Sequence, residues 1–318
     1  MKIKIIIAAL IFLPGFGTNV TAQIAFGGIK VSRNTDAIML AQRLVPSNDP
    51  RLTFVTGVGT FLTADPVASS GLYTAQNVIN ATTGEVQILN NYDLAESGVI
   101  LSTGDVKEYE SGPNDFYNNA YRYNTLATAA QDNLLRAAYP KDPTGISFYD
   151  ASQLDVTVDS CSAQRVVVEF AYGSDEWDEF NASGYTDVFA IFVDRIPVDA
   201  VIVNPINFAD IRETELDGVE IRSATPLIRA IFSIPSGRSA ITFMISDVND
   251  DNVDSTVYIE PIRSLADYNQ DGSADFFDIS LFLNDYNESN LRADLNGDGI
   301  LTEADANIIQ AEFDAGCP

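Results

Sequence analysis

The sequence predicts a mainly β protein: an antiparallel β-sandwich with a few marginal helices, followed by a small α-helical unit built on two cation loops. Three observations carry that reading. Residues 23–262 hold many short runs rich in β-branched and aromatic residues, separated by Gly, Pro and Asn-Asp clusters. Two segments among them have helical spacing instead. After residue 262 the composition turns acidic, and a segment starting at Ala266 recurs at Ala293, a shift of 27.

The elements follow in chain order. Lys2 and Lys4 precede an apolar run from Ile5 to Leu13, which Pro14 and Gly15 break, and Val20-Thr21-Ala22 offers small side chains to a peptidase. This is the pattern of a secretory signal peptide over residues 1–22, too short to span a bilayer as a stable helix. No later segment is long and apolar enough to span, so the expected product is secreted or at the cell surface, without a transmembrane segment. Asn34–Val45 places Ile38, Leu40, Ala41, Leu44 and Val45 on one helical face, with Asn34 or Thr35 as N-cap. Asn124–Tyr139 is a second helix, rich in Ala and Leu and ended by Pro140. The strands are "GVILST", "LDVTV", "RVVVEFAY", "DVFAIFVD", "AVIVN", "AITFMIS" and "STVYIE".

Composition narrows the chemistry. With 318 residues, a large unit of 23–262 and a smaller one of 263–318 are expected, and 46% hydrophobic content supplies a core. The 18 basic and 45 acidic residues leave −27, which argues against nucleic acid or an anionic membrane as partner. There is no histidine, so Ser-His-Asp triads, Cys-His pairs and the common zinc sites are absent. Cys161 and Cys317 are the only cysteines; export permits a disulfide, and the spacing leaves open whether they pair.

The tail carries twelve acidic and two basic residues in 56, a density that needs counterions. In its first copy Asp267, Asn269 and Asp271 alternate before Gly272. Ser273 offers its carbonyl at position seven of the loop, Asp275 stands at nine and Asp278 at twelve. The second copy repeats the pattern with Asp294, Asn296, Asp298, Gly299, Ile300, Thr302 and Asp305. Oxygen donors alternating along a tight turn suit Ca²⁺, and about 50 residues bury too little apolar surface to be stable alone, so metal binding would be folding energy. "FFDISLFL", after the first loop, is read as helix core. Asp at position twelve and the 27-residue repeat resemble the dockerin module, in the bacterial variant that ends in Gly-Cys, although Ser264-Leu265 stands where that variant often has a cysteine. The resemblance implies calcium in each loop and a cohesin-like protein or surface scaffold as partner.

Three stretches of the larger unit belong together. Gly98, Leu101, Ser102, Thr103 and Gly104 form the first. Ser174, Glu176, Glu179, Phe180, Asp187 and Phe189 form the second, with Trp177 and Thr186 in place of Tyr and Asn. Asp247, Asp250, Asp254 and Ser255 form the third. Over about residues 29–261 they resemble the choice-of-anchor L domain, which implies a bacterial exported surface or matrix protein whose C-terminal device varies. Within "DVNDDNVD", Asp247, Asn249, Asp250, Asp251 and Asp254 crowd a turn between strands, either a second calcium site or a solvated Asp/Asn turn. "GSDEWDEF" offers Asp175, Glu176, Asp178 and Glu179. Neighbours on a strand point to opposite faces and make a poor acid/base pair, so cation binding or a charged turn competes with glycosidic chemistry there. The expectation is a non-catalytic exported protein attached through its tail, the alternative a dockerin-borne protein that binds or cleaves polysaccharide.

Overall fold

From Phe148 to Ser160 the chain alternates Leu154, Val156 and Val158 with Asp155, Thr157 and Asp159, and the strand there buries the first set and leaves the second half-exposed. The computed structural model describes residues 29–45, 50–75, 78–79, 86–87, 94–110, 121–139, 144–174, 187–202, 212–213, 223–225, 227–252 and 254–317. Residues 1–22, expected to be a signal peptide, and the carboxylate-rich stretch 175–186 lie outside them.

Two antiparallel sheets face each other. The smaller contains, in order, β12 (Ile196–Ile202), β11 (Val188–Val193), β16 (Gly237–Val248), β9 (Phe148–Ser160) and β2 (Leu52–Thr60). The larger runs β1 (Ile29–Arg33), β5 (Ser70–Ala75), β8 (Ser97–Ser102), β17 (Ser255–Ile259), β10 (Gln164–Ser174), β14 (Ser223–Ala224) and β13 (Arg212–Glu213). In it β15 (Ile228–Ile234) and β18 (Arg263–Ser264) also pair with β10. Two small hairpins, β3 (Thr63–Ala64) with β4 (Val67–Ala68) and β6 (Val78–Ile79) with β7 (Val86–Gln87), complete the strands.

The core between the sheets takes Val166, Val168, Phe170 and Tyr172 from β10, Phe189 and Ile191 from β11, and Phe243 and Ile245 from β16. Phe170 and Phe189 meet across it at 5.0 Å between ring centroids. Helix α1 (Ala37–Leu44) adds Leu40, Ala41 and Leu44 against β2. Its N-cap is Asp36, which accepts from the Ile38 and Met39 amides, rather than Asn34 or Thr35, because the Asn34 side chain instead accepts from the Asp36 amide. Ile38, expected in the stripe, is 50% exposed. The sequence analysis did not name β2, whose Gly57 and Gly59 are weak strand formers. At Gly57 a Cβ would stand 2.2 Å from the Ala37 carbonyl and 2.5 Å from the Ala41 Cβ, so glycine is what lets the helix pack on this strand. Helix α2 (Ala129–Ala138), closed by a Thr128–Gln131 capping box, covers the outer face of the smaller sheet with Leu134, Leu135 and Ala138.

"RVVVEFAY" lacks alternation because β10 is buried on both faces, and the C-terminal tail supplies much of the outer cover. The Leu265 amide bonds to the Arg165 carbonyl directly after β18, so the tail begins against the sheet. Helices α3 (Phe276–Asn287) and α4 (Glu303–Asp314) enclose Leu265, Tyr268, Phe282, Ala293, Leu295 and Ile309 over Val167 and Ile231 of the sandwich. A core too small to stand alone is thus completed by sheet residues, each full side-chain burial contributing about 1.5–3 kcal/mol. The Arg51 guanidinium donates to the Glu312 carbonyl at 2.7 Å, and the Glu312 carboxylate accepts from the Arg165 amide and guanidinium. Cys161 and Cys317 form a disulfide with Cα atoms 5.6 Å apart. One reading of the tail is corrected: "FFDISLFL" is only partly core, since Phe282 is buried but Phe276 and Phe277 are 73% and 68% exposed.

Candidate functional site

Described residues from all three stretches meet at one end of the sandwich: Ser102 and Thr103 from the first, Ser174 and Asp187 from the second, and Asp247, Asp254 and Ser255 from the third. Pairing of β8 with β17 sets Ser102 opposite Thr256, and pairing of β17 with β10 sets Ser255 opposite Ser174. There the Thr103 amide and the Ser102 hydroxyl both donate to the Ser255 carbonyl, at 3.0 and 2.9 Å. The Ser255 amide donates to the Thr103 hydroxyl oxygen at 2.9 Å. Asp187, just before β11, accepts from the Ser255 hydroxyl at 2.6 Å and the Val248 amide at 3.2 Å, and the Tyr172 hydroxyl donates to Ser255 in turn. Asp247, at the end of β16 beyond its irregularity with β9, and Asp254 enter the same region. Gly104 has room only for hydrogen, because a Cβ would stand 1.8 Å from the Asp254 Oδ2.

Five aspartates are buried in or beside this end: Asp105, Asp150, Asp187, Asp247 and Asp254. Their compensation is unequal. Asp105 receives both sides of the Arg33 guanidinium and caps a short 3-10 helix at Lys107. Asp150 accepts from the Tyr123, Asn124 and Thr125 amides at 3.2, 3.1 and 2.7 Å. Neither oxygen of Asp247 has a hydrogen-bond partner of good geometry, although the Thr103 hydroxyl and the Asp187 carboxyl are near enough to act on its proton affinity. Burial pushes the Asp187 and Asp247 carboxyls up, and the charges of Asp187 and Asp254 push Asp247 further. Burial also raises the Tyr123 phenol, with Asp105, Asp254 and Asp150 adding to it. Sequence reading did not name Asp105, Asp150 or Tyr123; an Asp inside the apolar start of β9, "FYDAS", was the available signal. Of the expected donors in "DVNDDNVD", Asn249 is exposed and Asp250 and Asp251 half-buried, so only Asp247 and Asp254 belong to the buried group.

The tail loops stand elsewhere and are built differently. In the first, Asp267 accepts from the Asp271 and Gly272 amides, and Asn269 from the Asp271 amide. Asp271 accepts from the Ser273 amide, and Asp278 from the Asn269 and Asp275 amides. In the second, Asp294 accepts from Gly297 and Gly299, Asn296 from Asp298 and Asp298 from Ile300. Asp305 accepts from Leu295, Asn296 and Thr302. Gly272 and Gly299 make the turn at left-handed φ of +87° and +80°. Asp275 and Thr302 are the N-caps of α3 and α4, each in a capping box with the position-twelve Asp. All twelve predicted loop residues therefore fall in two copies of one framework. Among the described residues, no three Asp, Glu, Cys or His side chains gather tightly enough to hold a metal by themselves. An ion in either region would need neutral oxygens as well, and Asn side chains and loop carbonyls are of that kind. No described helix is long and apolar enough to cross a membrane.

The sequence profile of the choice-of-anchor L domain matches residues 67–228. None of the curated proteins matches the chain. Among solved structures, a family 35 carbohydrate-binding module from an environmental isolate is 12% identical, covering 49% of this chain and 94% of its own, with a TM-score of 0.20. The Caldicellulosiruptor saccharolyticus module CBM27-1, in complex with mannohexaose, is 10% identical over 65% of this chain and 97% of its own, with a TM-score of 0.27. Likeness at these scores bears on neither ligand nor mechanism.

Proposed function

The chain belongs to the choice-of-anchor L domain family, and from that premise we propose that it is an exported, non-catalytic surface or matrix protein attached through its C-terminal tail. In this reading the tail is a dockerin-like module. Asp267, Asn269, Asp271, Ser273, Asp275 and Asp278 hold one Ca²⁺, and Asp294, Asn296, Asp298, Ile300, Thr302 and Asp305 a second. The donor set fits: it is all oxygen, with side-chain donors at positions one, three, five and twelve and a main-chain carbonyl at seven, as a hard cation of this size takes. Bound calcium would supply the positive charge that lets these carboxylates share one turn.

The observation that carries the attachment role is the exposed pair Phe276 and Phe277, lodged between Asp275 and Asp278 of the first loop. Exposed aromatic surface beside a metal loop is what a protein partner recognises, and the loop fixes its position. The partner expected is cohesin-like. Immobilised full chain, incubated with the source organism's exported proteins, should retain such a partner in Ca²⁺ and release it with chelator. Phe276→Ser with Phe277→Ser should abolish capture while leaving calcium binding intact. Capture indifferent to both treatments would defeat the proposal.

Polysaccharide binding is the second reading. A cleft of about 650 Å³ between β15 and the tail is lined by Glu169, Arg229, Asn290 and Arg292 among others, groups that hydrogen-bond sugar hydroxyls. Its lining has no aromatic platform, which ranks it behind attachment.

A further inference from the structure

Asp247 is fully buried, neither of its oxygens has a hydrogen-bond partner of good geometry, and its neighbours in charge are Asp187, Asp254 and Asp150. An ionised carboxylate buried without a partner costs several kcal/mol, and the side chains that could offset it are engaged elsewhere. Arg33 is spent on Asp105, and the charge of Arg122 acts on Asp250. The amides that might have turned inward are used by Asp150 and Asp187 or by the strand ladder. Space is kept as well: Gly104 leaves open the volume that the Asp254 carboxylate fills.

We propose that this end of the sandwich is a divalent-cation site of the calcium class, with Asp247 and Asp187 as its acidic ligands, the Thr103 hydroxyl beside them and Asp254 adding charge. The site is separate from the tail loops, on different elements and with a different construction. Its acidic groups do not gather three to a point, so neutral oxygens complete the shell, as Ca²⁺ allows with its about six to eight ligands. Without histidine, and with both cysteines in a disulfide, the donors are oxygens only, which disfavours zinc and copper. An ion here would tie β8, β11, β16 and β17 together and fix the mouth of the sandwich, where the family's three motifs meet.

The test is calcium stoichiometry on the full chain, stripped with chelator and titrated by calorimetry with CaCl₂ alone. Asp267→Asn with Asp294→Asn first disables both tail loops. The expected result is one Ca²⁺ equivalent left in that background, lost when Asp247→Asn is added, and a thermal midpoint that rises with Ca²⁺ only while Asp247 is present. Zero equivalents in the tail-disabled background would overturn the proposal and leave a proton shared by Asp187 and Asp247 as the explanation. Retention of the equivalent in the Asp247→Asn chain would overturn it equally. Should Asp247→Asn not fold, the tail-disabled background still decides the count, and Gly104→Ala, which crowds Asp254, should weaken the remaining equivalent by at least about tenfold. If the tail binds no calcium, wild type and background show the same single equivalent, so the two readings fail separately.

Discussion

The two acidic regions read alike as sequence, but the fold treats their charge in opposite ways. In the tail, every loop carboxylate is turned onto amides of its own loop, because the left-handed turn at Gly272 or Gly299 points successive N–H groups inward. At the sandwich end Asp247 stands on β16, whose amides are already committed to neighbouring strands, and neither of its oxygens has a hydrogen-bond partner of good geometry. A regular one-three-five spacing therefore marks a loop that can satisfy much of its own charge. Aspartates far apart in sequence, brought together by strands and the turns beside them, mark acid groups that something from outside must balance. The weaker sequence signal carries the larger electrostatic demand.

Breaking what holds the tail tests the first half of this contrast. Cys161→Ser with Cys317→Ser opens a covalent loop spanning 156 residues, and should cost about 4 kcal/mol, read as a lowered unfolding midpoint in urea. A smaller loss would mean that the loops and the Val167 contact hold the tail unaided. Next in size is Asp305→Ala, which deprives the Leu295, Asn296 and Thr302 amides of their acceptor; about 3 kcal/mol should be lost even in chelator. Asp247→Asn, measured in the same chelator at neutral pH, should have the opposite sign and raise stability by about 1–2 kcal/mol, since burial pushes the Asp247 carboxyl well up and Asn folds without the proton uptake that this forces on wild type. With Ca²⁺ present the gain should vanish. Equal signs for Asp305→Ala and Asp247→Asn in chelator would collapse the distinction between the regions.

How much of this was legible in the sequence follows the same division. Local patterns showed: the β-rich runs of β9 and β10, the α2 helix and both tail loops in register, although the Thr128 cap of α2 was not read. Missed features were those decided by packing. Gly57 is a weak strand former whose place shows only once α1 lies on it, and Ile38 reads as core until Asp36 sets where the helix starts. Phe276 and Phe277 read as core until the tail's inner face is filled by Phe282, Leu295 and Ile309. The motifs "LSTG" and "DVNDDNVDS" were visible, but their meeting depends on β17 lying between β8 and β10, which no spacing encodes. Asp150 became visible only as the acceptor for three amides of a distant turn.

A third carboxylate environment joins the two regions and gives the finest test. β17 runs from Ser255 at the sandwich end to Glu260, which follows its last residue near the tail interface. There Glu169 and Glu260 sit together. Burial pushes the Glu169 carboxyl up, but Arg263 and Arg229 outweigh it and hold it below its usual range. Glu260 accepts the Ala95 amide at 2.7 Å, and burial, with Glu169 adding, pushes its carboxyl up to about 7 despite the same arginines. A folded-state value above the unfolded one means the native protein binds this proton more tightly. The stability it contributes is whole below about pH 4.5 and is lost as pH rises through about 7. Glu260→Gln keeps an acceptor for Ala95 and cannot ionise. It should match wild type near pH 4 and exceed it at pH 8 by about 1–2 kcal/mol, below the full linkage value because water and side-chain relaxation soften buried charge. The readout is the difference between the two urea curves across that range, in which the titrations of Asp187 and Asp247 cancel. A difference that does not change with pH would mean that Glu260 shares the arginines as fully as Glu169 does.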